Sequence, residues 1–200
     1  MSTTDNPITH AQELVQNYNQ QFVRDAEKAA VSIAGHPYMV LPPTIFKEVT
    51  DVTGEDVADM LFYRMGYELG VNEAERIFSS MDVPRDLVLR IAVGPMHFMT
   101  AGLGPVNLLE LKPGDFGDDN TVLVAEHPEA QTRGLEVGFA AGWLSASTES
   151  SMAARSVPHD GSGIRLVIAH QDKIFELSED PHYQQPRSSF EVAEPRPLNP

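Results

Sequence analysis

The first part of the chain carries hydrophobic residues at helical spacing, which predicts a helix from Ala11 to about Ile33. Gly35-His36-Pro37 should end this helix. The segment Tyr38–Pro43 contains two prolines, which remove backbone donors and favour extended conformations, so it predicts a short strand or an extended link. The predicted helix is long for the single domain behind it, and we expect it to pack at a two-fold interface.

The next stretch predicts a short helix over Thr44–Val49 and then a long one. Thr53-Gly54-Glu55-Asp56 resembles a capping box, with an acidic residue three positions after the hydroxyl. Gly66 and Gly70 leave room for a neighbouring backbone to approach the long helix. Its large apolar residues form one stripe: Val57, Met60, Leu61, Met65 and Leu69.

Later apolar runs, bounded by turn residues, predict strands. The runs are Leu87–Val93, closed by Gly94-Pro95, then Val106–Leu111, Thr121–Ala125 and Ile164–Ala169. The turn-rich segment Lys112–Asn120 makes the middle two strands a predicted hairpin, and a helix is predicted from about Glu129 to Ser147. This order of elements indicates an α+β fold, with a mainly antiparallel sheet backed by helices and preceded by an N-terminal helical segment.

The chain divides into three predicted parts. Residues 1–34 form a helical dimerisation segment, residues 35–177 form the main domain, and residues 178–200 form a proline-rich tail. The tail has little apolar content, so we expect it to lie on the surface or on a partner protein.

Composition limits the classes of function. The 200 residues are 42% hydrophobic and 22% charged, as in soluble globular proteins. A formal net charge of -15 repels phosphate backbones and argues against nucleic-acid binding. No apolar run is long enough to span a membrane and no signal peptide is evident, so a cytoplasmic protein is expected. The absence of cysteine excludes disulfides, thiolate zinc sites and thiol nucleophiles.

Most candidate chemical motifs are incomplete. Gly102-Leu103-Gly104 lacks the rest of a dinucleotide fingerprint, and Gly161-Ser162-Gly163 lacks the geometry of a nucleophile elbow. His127-Pro128-Glu129 matches half of a deaminase signature whose other half needs cysteines. The seven histidines are dispersed singly, which disfavours a metal site: His10, His36, His97, His127, His159, His170 and His182.

Two weaker signals remain. Asp115, Asp118 and Asp119 could hold a divalent cation, although an acidic, glycine-containing hairpin tip is more commonly just solvated. Methionine and aromatic residues are a common lining of adaptable apolar cavities, although such residues are more often plain core. The residues of this kind are Phe62, Tyr63, Met65, Tyr67, Met96, Phe98, Met99, Phe139 and Trp143.

Three segments carry a family resemblance: Phe62–Gly70, then Gly94–Phe98 with Glu110-Leu111 downstream, then Gly138–Ala146 followed by Gly161–Gly163. Together, in this order and spacing, they resemble the 4-vinyl reductase-like domain. That superfamily includes the N-terminal aromatic-sensing domain of phenol- and xylene-responsive transcriptional activators. The resemblance covers about residues 35–170.

The resemblance implies a compact α/β domain, usually dimeric, that holds a small aromatic or other hydrophobic molecule in a buried pocket between helices and sheet. In the family, a histidine after the Gly-Pro turn and a tryptophan contact the phenol. Alignment on Gly94-Pro95 places Phe98 at the histidine position, His97 one residue earlier, and His127 near the tryptophan position. If this segment is a strand, Phe98 and His97 point to opposite faces, and only one of them faces the pocket.

The family also carries a structural zinc ion held mainly by cysteines. The corresponding segment here, Arg155–Gly163, offers His159 and Asp160 but no thiolate, so we expect neither metal nor cofactor. The chain also lacks the ATPase and helix-turn-helix parts of the activators, so a stand-alone activator is not expected.

The leading hypothesis is a cytoplasmic protein that binds a hydrophobic or aromatic ligand and acts as a sensor, carrier or accessory subunit rather than as a catalyst. No nucleophile, acid–base pair or cofactor cradle is evident in the sequence. We expect it to prefer apolar aromatics over phenols. The predicted ligand-binding residues are Phe62, Met65, Met96, His97, Phe98, His127, Phe139 and Trp143. Two alternatives stay open: an enzyme using His97 or His127 as acid or base, and a structural subunit that docks a partner through its tail.

Overall fold

The computed structural model describes residues 7–20, 22–25, 30–33, 36–38, 44–100, 103–130, 133–159, 163–185 and 191–192. The described helices are α1 (Pro7–Asn19), α2 (Thr44–Thr53), α3 (Glu55–Ser80), α4 (Leu87–Thr100), α5 (Arg133–Thr148), α6 (Ile174–Glu179) and α7 (Pro181–Gln184). The described strands are β1 (Phe22–Asp25), β2 (Ala30–Ile33), β3 (His36–Tyr38), β4 (Asn107–Lys112), β5 (Val122–His127), β6 (Met152–Val157), β7 (Ile164–His170) and β8 (Glu191–Val192).

The main sheet has the strand order β6-β7-β5-β4-β8. Its pairs are antiparallel, with Leu123 opposite Ile168 between β5 and β7, except that β8 runs parallel to β4. The predicted α+β class and the hairpin of β4 and β5 are confirmed. Helix α5 lies against the inner face of the sheet, and its Val137 and Leu144 pack with Leu111, Leu166 and Ile168.

The predicted helix from Ala11 to Ile33 is wrong beyond Asn19. Strands β1 and β2 follow instead, paired antiparallel with Phe22 opposite Ile33, and β3 pairs with β2. Aromatic and β-branched residues such as Phe22, Val23 and Val31 favour a pleated sheet, and over so short a segment they fit either periodicity. Helix α1 packs on α4 of the same chain, with Ala11 fully buried between them.

The predicted short helix is confirmed as α2, and the long helix as α3. The predicted capping box is wrong, because the N-cap of α3 is Gly54, whose φ of 84° requires glycine, and no side chain caps it. Thr53 ends α2 and its hydroxyl donates to the carbonyl of Val49 at 2.9 Å. Glu55 and Asp56 in the first turn favour the helix start through the helix dipole.

Helices α3 and α5 meet along a row of glycines, here called the glycine seam: Gly66 and Gly70 of α3 with Gly134, Gly138 and Gly142 of α5. A Cβ at Gly70 would lie 2.8 Å from the backbone nitrogen of Trp143, and one at Gly138 would overlap the carbonyl oxygen of Tyr63. The predicted close approach of a backbone to Gly66 and Gly70 is confirmed.

The glycine seam sets which face of α3 is buried. The side facing α5 carries the small residues Ala58, Gly66, Gly70 and Ala74 together with Phe62 and Ile77. The five large apolar residues of the predicted stripe are instead 40% to 65% exposed. A helix buried through its smallest residues therefore leaves its most hydrophobic ridge on the surface.

The predicted strand Leu87–Val93 is wrong, because this segment forms the first half of α4. Asp86 caps the helix by accepting a hydrogen bond from the backbone nitrogen of Leu89 at 2.8 Å. Helix α4 is buried on several sides, so its sequence is a continuous apolar run. Hydrophobic periodicity does not distinguish such a helix from a buried strand. Gly94-Pro95 lies inside the helix rather than ending it.

The outer face of the sheet is covered by the segment after β7. Ile174 of α6 and Tyr183 of α7 are buried against Val124 and Val167. Part of the tail predicted from Ser178 onward thus packs on this chain's own sheet, whereas residues 186–190 and 193–200 lie outside the described residues. Strand β6 was not predicted, because Met-Ala-Ala-Arg-Ser-Val has weak strand propensity. None of the described helices combines the length and apolar content needed to cross a membrane.

Candidate functional site

A cavity of about 40 Å³ lies between α4, α5 and the inner face of the sheet. Every side chain around it is apolar. The lining residues are Ile91, Gly94, Pro95, Phe98, Val106, Leu108, Leu123, Ala125, Phe139, Ala140, Trp143, Leu144, Leu166 and Ile168.

Trp143 is fixed in the cavity wall. A Cβ at Gly94 would lie 2.7 Å from its Nε1, so only glycine at this position lets α4 approach the indole. The indole N–H donates to the backbone carbonyl of Arg90 at 3.0 Å. The polar atom of the indole is therefore occupied, and its ring offers the cavity only apolar surface.

Two further aromatic rings, those of Phe98 and Phe139, continue this wall. Phe98 meets Phe139 edge-to-face, with ring centroids 5.0 Å apart, and Phe139 stacks on Trp143 at 6.0 Å. Such pairs hold their rings in defined orientations and contribute about 0.5–1.5 kcal/mol each beyond area burial.

His97 lies behind the aromatic wall and is not among the residues that line the cavity. Its ring is 1% exposed and stacks on Trp143 at 5.8 Å. Its Nε2 is 3.0 Å from a carboxylate oxygen of Glu73, which also pairs with Arg76. Because the segment is a helix, His97 and Phe98 are both buried, and the argument from alternating strand faces does not apply.

His127 stands at the end of β5, on the same side of the strand as the cavity-lining Leu123 and Ala125. It is fully buried, and its ring meets Phe98 edge-to-face at 5.2 Å. Its Nε2 donates to the carbonyl of Leu103, which makes Nδ1 the acceptor nitrogen of the neutral ring. Nδ1 has no hydrogen-bond partner among the described residues.

The structure brings three of the predicted site residues to the cavity, Phe98, Phe139 and Trp143. Phe62, Met65 and Met96 are not among the residues that line this cavity, and their role in binding stays a prediction. Phe62 packs with Ala58 and Leu135 in a separate cluster. Met65 is exposed on the far side of α3, and Met96 is half-buried beside the aromatic wall.

Sequence reasoning missed the sheet side of the cavity. The residues it missed are Val106, Leu108, Leu123, Ala125, Leu166 and Ile168. The signal was present, because in each predicted strand alternate apolar residues share a face, and the face toward the helices had to be one wall of any internal cavity.

The family's zinc site does not fit this chain. The described residues contain no group of three potential metal ligands. His159 of the corresponding segment is described, whereas Asp160 lies outside the described residues. With no cysteine anywhere in the sequence, the thiolate ligands of that zinc site have no counterpart.

The acidic hairpin tip is used structurally. Asp118 accepts hydrogen bonds from the backbone nitrogens of Asp115 and Asn120, both at 2.9 Å, and Asp119 pairs with Lys173. Partial burial acts to raise the pKa of Asp118, but these backbone donors outweigh it and hold the pKa below its usual value. The carboxylates therefore organise the turn rather than converging on a common point.

Comparison with known proteins agrees with this architecture. The phenol-responsive sensory domain of the transcription activator PoxR, crystallised with phenol, matches with a TM-score of 0.72 and 16% sequence identity, over 93% of this chain and 100% of that chain. Residues 20–113 match the family model XylR_N, described as activator of aromatic catabolism. No curated protein sequence matches this chain.

The chain therefore has the same fold as that domain, with an apolar cavity between the helices and the antiparallel sheet. Residues 20–113 of this fold are similar to the family described as activator of aromatic catabolism. The resemblance found in the sequence is confirmed.

Proposed function

We propose that this protein binds a small hydrophobic or aromatic molecule in the cavity between α4, α5 and the sheet, as a cytoplasmic sensor, carrier or accessory subunit. The apolar cavity, enclosed by Phe98, Phe139 and Trp143, is the observation that carries the proposal. The relation to activators of aromatic catabolism supports it.

The cavity volume bears directly on this proposal. A volume of about 40 Å³ accommodates water. By comparison, a cavity that binds benzene in another protein has a volume of about 150 Å³. Ligand binding therefore requires the walls to move apart. The small volume also favours a second candidate function, a structural subunit that docks a protein partner, and the experiments below separate the two.

The enzyme alternative has less support. Neither His97 nor His127 lines the cavity. The Nε2 atom of His97 is hydrogen-bonded to the carboxylate of Glu73. A general acid or base must come within hydrogen-bond reach of its substrate, directly or through one water.

The lining favours hydrocarbon over hydroxylated rings. The indole N–H of Trp143 is occupied by Arg90, and Phe98 stands at the position of the family's ligand-binding histidine. A phenol hydroxyl in this cavity would lose its hydrogen bonds to water, which costs about 1–3 kcal/mol if no partner replaces them. His127 is the exception, because its Nδ1 could accept from a hydroxyl if the ring of Phe98 moved aside.

We expect toluene to bind roughly 5- to 150-fold more tightly than phenol, the range that about 1–3 kcal/mol corresponds to. Trp143 is the only tryptophan and lines the cavity, so its fluorescence reports occupancy. Titration with each ligand gives the two dissociation constants. Phe98→His should narrow or reverse the preference by supplying a polar partner.

Matched controls define what would overturn this prediction. Phe175→His makes the same change at an exposed residue of α6 and should leave both affinities unchanged. If phenol binds the unmodified protein at least as tightly as toluene, the preference is wrong, and loss of phenol binding in His127→Leu would identify Nδ1 as its acceptor. If neither ligand changes the fluorescence or releases heat, the structural-subunit candidate replaces the ligand-binding one.

A second prediction concerns Ala125, whose side chain lines the cavity from β5. Ala125→Val adds two methyl groups to the cavity, which should lower toluene affinity at least about tenfold while the melting temperature is kept or raised. Isothermal titration calorimetry and thermal unfolding measure the two effects. The control Ala153→Val, on strand β6 at the edge of the sheet and away from the cavity, should leave the affinity unchanged. Equal affinities for all three proteins would place the ligand elsewhere.

A further inference from the structure

The exposed side of α2 and α3, here called the acidic face, is unusually apolar for a protein surface. Eight large hydrophobic side chains are exposed among the described residues, and seven of them lie on these two helices. Helix α2 packs alongside α3, where Phe46 meets Phe62 edge-to-face at 5.3 Å, so the two helices form one surface. Large exposed apolar patches mark interaction sites. The seven residues are Ile45, Val52, Val57, Met60, Leu61, Met65 and Leu69.

The same face carries an excess of negative charge. Of the nine exposed charged residues on α2 and α3, seven are acidic and two are basic. Both basic residues already pair with an acid of their own helix, Lys47 with Asp51 at 3.2 Å and Arg64 with Glu68 at 2.6 Å. The other five acidic residues have no cationic partner among the described residues: Glu48, Glu55, Asp56, Asp59 and Glu75. A partner that complements this face must supply both apolar surface and positive charge.

We propose that the acidic face docks a basic amphipathic helix of another protein. The apolar side of that helix packs on the exposed hydrophobic residues of α3, and its lysines or arginines lie near the unpaired carboxylates. Recognition of an amphipathic helix through apolar anchors spaced by three or four residues is a common binding mode. This inference does not depend on ligand binding in the cavity, and the two are tested separately.

The geometry of α3 suits a helical partner. Val57, Leu61, Met65 and Leu69 are spaced by four residues and form one row, about 18 Å long. Such rows on two helices interdigitate at a crossing angle near −50°, the commonest helix packing class. Met65 is flexible and polarisable, so it adapts to the side chains of the partner.

Acidic side chains stand directly beside this apolar row. The neighbouring row of α3 consists of Asp56, Met60, Arg64 and Glu68. Because Arg64 is already paired with Glu68, Asp56 is the charge of this row that is left for a partner. Basic residues that flank the apolar side of a docked helix would come close to it.

Charge also argues against a second copy of this chain as the occupant. An identical face would bring the same excess of five acidic residues into the contact, and each chain carries a net charge of -15. Like charges that oppose each other across an interface are unfavourable. A basic partner is instead attracted before contact, and this attraction weakens as salt rises.

A dye-labelled peptide of about 18 residues, or five helical turns, tests the proposal, with leucine along one helical face and lysine elsewhere. Fluorescence anisotropy with the full chain should give a dissociation constant below about 100 µM. The same peptide with glutamate in place of lysine should bind at least about tenfold more weakly. Raising the salt concentration from about 0.01 M to about 0.1 M should weaken binding of the lysine peptide, because the Debye length falls from about 30 Å to about 10 Å.

The double variant Leu61→Glu with Met65→Glu separates docking from general attraction between charges. It adds two negative charges, so attraction alone would tighten binding of the lysine peptide. We expect the dissociation constant to rise at least about tenfold instead, because the apolar anchors are lost. Phe175→Glu, the same change at an exposed apolar residue of α6, should not weaken binding.

A charge variant keeps the result interpretable if the double variant does not fold. Glu48→Gln with Asp56→Asn leaves every apolar residue in place and should raise the dissociation constant at least about threefold at 0.1 M salt. Glu176→Gln with Glu179→Gln removes the same charge from exposed positions of α6 and should have a smaller effect.

Four results would overturn the proposal. The first two are no binding of the lysine peptide at about 100 µM and equal affinity for the two peptides. The third is an affinity that Leu61→Glu with Met65→Glu leaves unchanged or raises. The fourth is a dimer in sedimentation equilibrium that the same variant dissociates, because a second copy would then cover the face.

Discussion

Gly138→Ala is expected to destabilise the protein by at least about 3 kcal/mol, at the upper end of the cost of overpacking a core. The added Cβ would overlap the carbonyl oxygen of Tyr63, a backbone atom that no side-chain rotation can move. Helices α3 and α5 would have to separate, and their contact is the most extensive between any two described elements. For a chain of this size the melting temperature should fall by roughly 6–12 °C.

The direction of this effect is informative because it opposes helix propensity. Alanine is favoured over glycine within a helix by about 1 kcal/mol, so a loosely packed α5 would be stabilised by the same substitution. Ser79→Ala, at an exposed position near the end of α3, serves as the control and should change stability by less than about 0.5 kcal/mol. If the melting temperature of Gly138→Ala equals or exceeds that of the unmodified protein, α3 and α5 are not in close contact along the glycine seam.

Arg165→Met is expected to cost about 3 kcal/mol and to release the C-terminal helices from the sheet. The guanidinium group is buried, donates to Glu126 at 2.9 Å, and also donates to the backbone carbonyl of Gln184 at 3.0 Å and to that of Gln185. Breaking a buried pair costs about 3–5 kcal/mol, and the partial exposure of Glu126 places this case at the lower end.

Hydrogen exchange followed by mass spectrometry separates release of the C-terminal segment from global destabilisation. Relative to the unmodified protein, Arg165→Met should accelerate exchange of the α7 amides more than exchange of the β5 and β7 amides. The reason is that Arg165 holds the end of α7 to the sheet. Arg155→Met, on the adjacent strand, removes only a cation–π contact with Phe175 and should cost about 1 kcal/mol or less. Uniform exchange across the molecule, or equal effects of the two substitutions, would contradict this role.

The sequence alone predicted the antiparallel sheet and the aromatic residues of the cavity wall. The hairpin strands alternate or carry short apolar runs between turn residues, and Phe139 and Trp143 lie on a helix whose glycines require close packing. Family resemblance placed Phe98 at the ligand position, and the structure places it in the cavity lining. Its role in binding stays a prediction.

Two of the errors, those on α3 and α4, arise because the burial of a helix depends on the elements that pack against it. On α3 the small residues Gly66 and Gly70 face the core because backbone contact there replaces side-chain packing, so Met65 is displaced to the surface. On α4, burial on several sides removes the polar positions that reveal helical periodicity. Neither effect is visible until the neighbouring element is known.

Pro95 weakens the backbone hydrogen bonding of α4, the helix that forms one wall of the cavity. It lines the cavity within α4 and, lacking an N–H, leaves the carbonyl of Ile91 without its usual intrahelical donor. The α5 wall is held by the glycine seam, and we expect a ligand larger than the resting cavity to displace α4. We expect entry and escape to be slowed by the same barrier, with association below about 10⁵ M⁻¹s⁻¹. Such a protein would bind little ligand during a brief rise in the ligand concentration. Once bound, the ligand would stay in the cavity after the free concentration has fallen.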